Sequence, residues 1–136
     1  MVFTDAEIEY LQSQRLGRLA TLTPEGNLQN SPVGFQLDEE SGVINIFGRT
    51  LGNTRKFHNV AANGKVALVV DDIVSFSPWV VRCLEIRGTA EARTDDGPDR
   101  SGDVIRIHPR RIISWGLGPD GDQGSKRDID PPTATR

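Results

Sequence analysis

Several residue types and runs that define protein classes are scarce in this sequence. It holds one cysteine, Cys83, which excludes an intrachain disulfide and a cysteine-based zinc site. No apolar run approaches the roughly 18 residues that a membrane-spanning helix needs. The opening segment carries Asp5, Glu7 and Glu9, so it predicts neither a signal peptide nor a transit peptide. We therefore expect a cytoplasmic protein that does not bind membranes.

Lysine is also scarce, and the overall charge is slightly acidic. The 136 residues include 16 Lys and Arg against 19 Asp and Glu, which gives a net charge of −3. A general nucleic-acid binder needs a dense positive surface, so we expect no nucleic-acid partner. The two histidines, His58 and His108, form a poor metal-ligand set with one cysteine, and we expect no metal site.

The pattern of apolar residues predicts a small β-rich domain with two short helices. Thr4 and Glu7 form a capping-box pattern, which predicts a helix to about Gln14. Thr54 begins a second helix that ends at Asn63-Gly64 in a left-handed cap. Strands are predicted at 16–22, 28–37, 43–47, 65–70, 80–93 and 104–115, the first three forming a meander.

These elements predict a mainly β fold, a six-stranded antiparallel barrel spanning residues 1–118. Gly88 lies inside a strand and predicts a bulge or a barrel corner. Asp71 and Asp72 follow a strand, where a turn is favoured over a catalytic carboxylate pair. Residues 119–136 are rich in proline, glycine and charge, which predicts a disordered tail.

The start of the second helix has an unusual charge distribution. Arg55 and Lys56 occupy its first turn and Arg49 lies just upstream, although cations are unfavourable beside the positive end of the helix dipole. A bound anion such as phosphate would explain this cluster, and Gly48 would let the backbone approach it closely. The alternative is that the side chains are simply solvated.

Four segments now suggest a family. The run 54–68, Thr-Arg-Lys-Phe-His-Asn-Val-Ala-Ala-Asn-Gly-Lys-Val-Ala-Leu, resembles the cofactor-phosphate segment of the pyridoxamine 5′-phosphate oxidase-like split-barrel family, with Asn-Gly in place of Asn-Pro. Residues 26–33 resemble its second strand and residues 82–91 its Ile-x-Gly-x-Ala-Glu strand. Residues 105–117 are similar to the closing strand of the actinobacterial deazaflavin branch. The resemblance covers about residues 5–118.

The resemblance implies a homodimeric, FMN-binding type of split barrel that holds a flavin-like cofactor in a groove between subunits. Residues Thr54, Arg55 and Lys56 would contact the cofactor phosphate, and Asn59 would support them one helical turn later. The ring would be lined by Ser31, Pro32 and Val33. The phosphate wall would continue with Phe47, Gly48 and Arg49, and the second subunit would contribute Trp115 near the ring.

Departures from the family pattern restrict the activity that the resemblance implies. Cys83 stands where pyridoxamine phosphate oxidases carry a flavin-contacting glutamine, and their C-terminal Arg-x-His motif is absent. We therefore expect a reductase that uses coenzyme F420 to deliver a hydride to a small unsaturated substrate, with the catalytic residues unassigned. The alternatives are an FMN-dependent oxidase or reductase, a non-catalytic F420- or flavin-binding protein, and a structural dimer that binds neither.

Overall fold

The computed structural model describes residues 2–94, 102–118 and 124–131. Within these ranges the chain is mainly strand, and one antiparallel sheet contains all of the strands. The helices are α1 (Asp5–Ser13) and α2 (Arg55–Ala62), with a 3₁₀ turn at Leu51–Asn53. The strands are β1 (Gly17–Leu22), β2 (Leu28–Val33), β3 (Gln36–Leu37), β4 (Ile44–Phe47), β5 (Lys65–Phe76), β6 (Trp79–Arg93), β7 (Val104–Trp115) and β8 (Ser125–Asp128).

Both helices begin as the sequence predicts. The Glu7 backbone N–H donates to Thr4 Oγ1 at 3.2 Å, and the Thr4 N–H donates to Glu7 Oε1 at 2.9 Å. This reciprocal pair satisfies two of the backbone donors that a helix start leaves free. On α1, Ile8 and Leu11 are buried. These two residues form the face of α1 that packs on the core.

The sheet closes into a barrel through a crossing that the sequence analysis did not predict. The strand order is β2-β1-β5-β6-β7-β4-β3, with β8 added on β7. The predicted strand 28–37 is two strands, because the chain leaves β2 after Val33 and enters β3 at Gln36 on the far side of the sheet. The pairings of the predicted three-strand meander are present, since 28–33 pairs with β1 and 36–37 pairs with β4, but its middle strand is interrupted at Gly34 and Phe35. A two-residue link between the two ends of the sheet makes it a barrel.

The hairpin of β5 and β6 is longer than predicted. Asp71 and Asp72 lie within β5 opposite Cys83 and Arg82, and the strand continues to Phe76. Their charges are compensated, since Asp71 pairs with Arg18 and Asp72 with Arg82, each at 2.7 Å. The prediction that these carboxylates begin a turn is wrong for that reason.

Two glycines lie where another chain segment comes close. A Cβ on Gly88 would collide with the carbonyl oxygen of His108, and the pairing of β6 with β7 shifts register at Gly88, so the predicted bulge is confirmed. A Cβ on Gly64 would lie 2.7 Å from the Ala90 carbonyl oxygen. The residue before it, Asn63, is extended at φ −148°, so the predicted left-handed cap is wrong. Close packing against β6 is the reason for glycine there.

Part of the predicted disordered tail is ordered. Ser125–Asp128 forms β8 against residues 111–114 of β7, and the Ile129 N–H donates to the Arg110 carbonyl at 2.7 Å. Arg127 donates to both oxygens of Glu7, at 2.6 and 2.8 Å, and to the Val2 carbonyl at 2.7 Å. Residues 119–123 and 132–136 of that tail lie outside the described residues. The remainder is ordered because Glu7 provides a buried partner for Arg127.

The barrel interior is filled by aliphatic side chains from every long strand. Leu19, Leu68, Leu84, Ile86 and Ile107 are fully buried there. Among the residues that the structure describes, no helix has both the length and the apolar character needed to cross a membrane.

Candidate functional site

A cavity of about 240 Å³ lies where β2, β4 and the start of α2 meet. It is lined by residues 32–34 and 46–51 together with Thr54 and Lys56. The barrel brings these segments together: Val33 pairs with Gly17 at one end of the sheet, while β4 pairs with β7 near the other. The cavity therefore lies beside the crossing that closes the barrel.

The 3₁₀ turn and the α2 cap fix one wall of the cavity. Leu51 is buried, and its carbonyl accepts hydrogen bonds from the Thr54 hydroxyl at 2.6 Å and from the Thr54 N–H at 3.0 Å. Thr54 Oγ1 in turn accepts from the Phe57 N–H at 3.3 Å. The N–H groups of Arg55 and Lys56 belong to the first turn, so α2 itself provides no acceptor for them. They remain available to a ligand.

Positive charge is concentrated at this end of α2. Among the described residues, no carboxylate lies within 4.0 Å of a cationic nitrogen of Arg49, Arg55 or Lys56, whereas Arg18 and Arg82 are each paired with an aspartate. Arg49 and Lys56 line the cavity, and Arg55 lies outside its lining. Unpaired cations beside the positive end of a helix dipole make a site suited to an anion, phosphate in particular.

Asn59, which the resemblance gives a supporting role, lies outside the cavity lining. Its side chain is completely buried, and its amide donates to Thr21 Oγ1 at 3.0 Å and to Gln29 Oε1 at 2.9 Å. These bonds connect α2 to β1 and β2. Asn59 thus holds the helix whose first turn borders the cavity.

Ser31 and Trp115 also lie outside the cavity lining. Ser31 is on the same face of β2 as Val33, because alternate residues of a strand share a face. The Ser31 Oγ is buried and has no hydrogen-bond partner among the described residues. Trp115 ends β7 opposite Cys83 and is 44% exposed.

Of the eleven residues proposed from the sequence, the cavity brings together seven. These are Pro32, Val33, Phe47, Gly48, Arg49, Thr54 and Lys56. Sequence reasoning missed Gly34, Ile46, Thr50 and Leu51, which also line it. Each of these residues is within three positions of a predicted one, and only the barrel crossing turns them towards the same space.

A separate polar cluster joins α1 to the β5–β6 hairpin. The Tyr10 hydroxyl donates to Asp72 Oδ1 at 2.8 Å, and the Arg82 guanidinium lies 4.9 Å from the Tyr10 ring centre. Hydrogen bonding from Arg82 lowers the pKa of Asp72, while burial and then the bond to Asp72 raise the pKa of Tyr10. Beside this cluster, burial raises the pKa of the Cys83 thiol to about 11. The cluster holds a helix in place, and its tyrosine stays protonated.

Comparisons with known proteins agree with this architecture. The pyridoxamine 5′-phosphate oxidase family matches residues 3–127. A 5a,11a-dehydrotetracycline/5a,11a-dehydrooxytetracycline reductase from Streptomyces rimosus is 49% identical over 134 residues, covering 95% of this chain and 94% of its own.

Solved structures share the fold. An F420 reductase superposes with a TM-score of 0.56 at 26% identity, over 72% of this chain and 88% of its own. A conserved hypothetical protein of Mycobacterium tuberculosis superposes with a TM-score of 0.66 at 21% identity, over 85% of this chain and 86% of its own. From the match to residues 3–127 and the 49% identity to a reductase, the chain belongs to the pyridoxamine 5′-phosphate oxidase family and is an oxidoreductase.

Proposed function

We propose that this protein is a cytoplasmic, homodimeric reductase that uses coenzyme F420 to reduce a carbon–carbon double bond in a small conjugated substrate. The observation that carries the proposal is the cavity at the start of α2. Arg49 and Lys56 line it, and neither is paired with a carboxylate among the described residues.

The residues present fit a cofactor with a phosphate and a flat ring. Arg49, Lys56 and the Thr54 hydroxyl would hold the phosphate, together with the free N–H groups of the first turn of α2. Pro32 and Val33 offer strand backbone and apolar surface to the ring. The buried Ser31 hydroxyl nearby has no partner among the described residues and can hydrogen-bond a ring heteroatom. When bound, the deazaflavin supplies the hydride.

One relative supports F420 over FMN, and both support a reductive reaction. One is the F420 reductase that shares the fold, and the other is the reductase from Streptomyces rimosus. Both cofactors carry a phosphate, so the cavity itself suits either one. The Streptomyces protein acts on 5a,11a-dehydrotetracyclines. By its 49% identity we extend this substrate class, a fused-ring conjugated ketone, to the present chain.

In this reaction the residues of the chain orient the cofactor and the substrate and exclude competing reactions. Hydride and a proton add to the two carbons of the double bond, which leaves a single bond and needs no other reactant. Along the described lining, Asp, Glu and His are absent, so we propose that water delivers the proton through the open cavity. The apolar side chains of Val33 and Phe47 would hold the cofactor and substrate rings in a reactive orientation and exclude water from one face of them.

The outer half of the β5–β6 hairpin supports the homodimer. In the sheet, β1 covers β5 only at Ala67–Val69 and β7 covers β6 only from Cys83 onward, which leaves a two-stranded ribbon at residues 73–82. Phe76 is 77% exposed and Trp79 is 64% exposed on it. An isolated ribbon of this kind is marginally stable in water. A second subunit packed on these side chains would stabilise it.

A fluorescence titration with F420, run in parallel with FMN, tests the cofactor assignment. We expect Lys56→Ala to weaken F420 binding by about 1.5–3 kcal/mol, the range for hydrogen bonds to charged groups, or about 10- to 150-fold in Kd. Lys65→Ala is the matched control, because Lys65 is exposed at the start of β5 and lies outside the cavity lining.

The outcomes separate the alternatives. Unchanged affinity of the Lys56→Ala variant would contradict the phosphate assignment. Tight binding of FMN alone would favour a flavin-dependent enzyme. Binding of F420 without oxidation of the reduced cofactor by a conjugated ketone would favour a cofactor-binding protein.

A further inference from the structure

A second cavity, of about 450 Å³, lies between the C-terminal end of α1 and strand β3. Arg15, Gln14 and Phe35 line it, above a floor that includes Leu11 and Leu37. We propose that this groove binds the part of the substrate remote from the double bond, as an anionic, oxygen-rich edge of a flat fused-ring molecule. The proposal rests on the proposed reductase function and names the residues that select its substrate.

The groove begins where the cofactor cavity ends. Val33 and Gly34 line the first cavity and Phe35 lines the second. Gly34 has no side chain, and the space beside it is open. A Cβ added there would meet the Arg15 carbonyl oxygen first, at 4.0 Å, among described atoms outside the adjoining residues. A rigid ligand can therefore extend from one cavity into the other past Gly34.

The sizes of the two cavities support this division. Ligand sites commonly have volumes of about 300–1,000 Å³. Within one subunit, the first cavity, at about 240 Å³, is too small to hold both a cofactor ring and a substrate of several fused rings. The groove, at about 450 Å³, has room for two or more rings. Most of the substrate's contacts must then come from the groove.

The side chains of the groove define the chemistry of its occupant. Phe35 is partly buried against the core and offers an aromatic surface to a flat ring. Arg15 is exposed, and among the described residues it has no carboxylate within 4.0 Å, so its planar guanidinium is available to an enolate, phenolate or carboxylate. The carboxamide of Gln36 can pair with hydroxyl or carbonyl oxygens.

Charge also orients the occupant. A neighbouring cavity of about 430 Å³ shares Gln36 and Leu37 with the groove and is also lined by Asp38, Glu39 and Glu40. The Gln12 side-chain amide donates to Glu39 Oε2 at 2.6 Å and so links α1 to this acidic turn. An anionic edge is repelled from that end and attracted to Arg15. The oxygen-rich edge therefore lies beside Arg15 rather than beside the acidic turn.

Equilibrium dialysis with oxytetracycline, a fused-ring molecule with an ionised oxygen-rich edge, tests the groove without any cofactor. We expect the wild type to bind it, and Arg15→Ala to weaken binding about tenfold or more, as for loss of a hydrogen bond to a charged group. Phe35→Leu keeps the apolar packing but loses the flat surface, so it should also weaken binding. Arg87→Ala is the control, since Arg87 is exposed on β6 and pairs with Glu85.

Kinetics and a cofactor titration distinguish the ways in which the proposal can fail. With a dehydrotetracycline substrate, Arg15→Ala should raise KM about tenfold and change kcat little, because the lost contact is remote from the reacting carbons. Failure of the wild type to bind oxytetracycline, or equal binding by Arg15→Ala, would contradict the groove. If Arg15→Ala instead weakened F420 binding, the groove would hold the cofactor's anionic tail, which also contradicts the proposal. Failure of the wild type to bind F420 would contradict the proposed function alone.

Discussion

At the scale of single residues, hydrogen bonds lower the pKa of Asp72. Its Oδ1 and Oδ2 accept hydrogen bonds from Arg82 at 3.0 and 2.7 Å, and Oδ1 also accepts from the Tyr10 hydroxyl. These bonds favour the charged carboxylate and lower its pKa below the ordinary value of 3.8. The folded state therefore binds this proton less tightly than the unfolded state does.

This difference predicts a pH dependence of stability. Because the folded pKa is the lower one, the stabilisation is fully present above about pH 5 and is lost as the pH falls through the folded pKa. We expect the free energy of unfolding of the wild type to fall more steeply below pH 4 than that of Asp72→Asn. Urea unfolding at a series of pH values from 7 to 3 measures this. Parallel pH profiles for the two proteins would count against the role of Asp72.

At the scale of elements, β8 fastens the N-terminal helix. Glu7 is 3% exposed, and both of its oxygens accept from Arg127. Removal of one partner from a buried ion pair leaves a buried charge without compensation, which commonly costs about 3–5 kcal/mol. The Arg127–Glu7 pair therefore fastens the last strand to α1.

We predict that Arg127→Met lowers the free energy of unfolding by about 3–5 kcal/mol. Arg111→Met is the matched control, because Arg111 pairs with Asp128 on the surface, and such pairs contribute about 0–1 kcal/mol. The double variant Glu7→Gln with Arg127→Met should recover part of the loss. Chemical denaturation measures all three. A loss no larger than that of Arg111→Met would refute the assignment.

An element was predictable from the sequence where the contacts that fix it join residues close together in the chain. The two helix starts rest on Thr4 with Glu7 and on Thr54 with Phe57, three residues apart, and the sequence predicts both. Strand β8 rests on a residue 120 positions away, which no local pattern shows. The separation of β2 from β3 likewise depends on barrel closure.

The candidate site was likewise predictable only in part from the sequence. Family resemblance identified the segments 31–33, 47–49 and 54–56, and most of their residues line one cavity. Asn59, proposed to support the site, lies outside the cavity lining and bonds to β1 and β2, and helical spacing does not show which face of α2 is against β1. The groove beside Phe35 was not predicted, since it exists only where α1 lies over the crossing from β2 to β3.

At the scale of the whole molecule, the exposed ribbon predicts the oligomeric state. We expect the wild type to be a dimer and Trp79→Glu to be a monomer by light scattering, because a carboxylate buried in an apolar interface is unfavourable. Leu28→Glu is the control: Leu28 is 82% exposed but pairs with Leu22, at the end of β1 opposite the ribbon. A wild type that is monomeric at micromolar concentration, or a dimeric Trp79→Glu, would contradict this interface.

The pairing of Glu7 with Arg127 also sets the order in which the chain can mature on the ribosome. Translation produces Glu7 first and Arg127 120 residues later, which at about 5–20 residues per second is a delay of roughly 6–24 s. During that interval α1 can form, since Thr4 and Glu7 need no distant partner. It cannot yet be fastened to the barrel by the contact that compensates its buried carboxylate. A nascent chain interrupted before β8 would carry the cavity at the start of α2 and every long strand, but its first helix would still be free to detach.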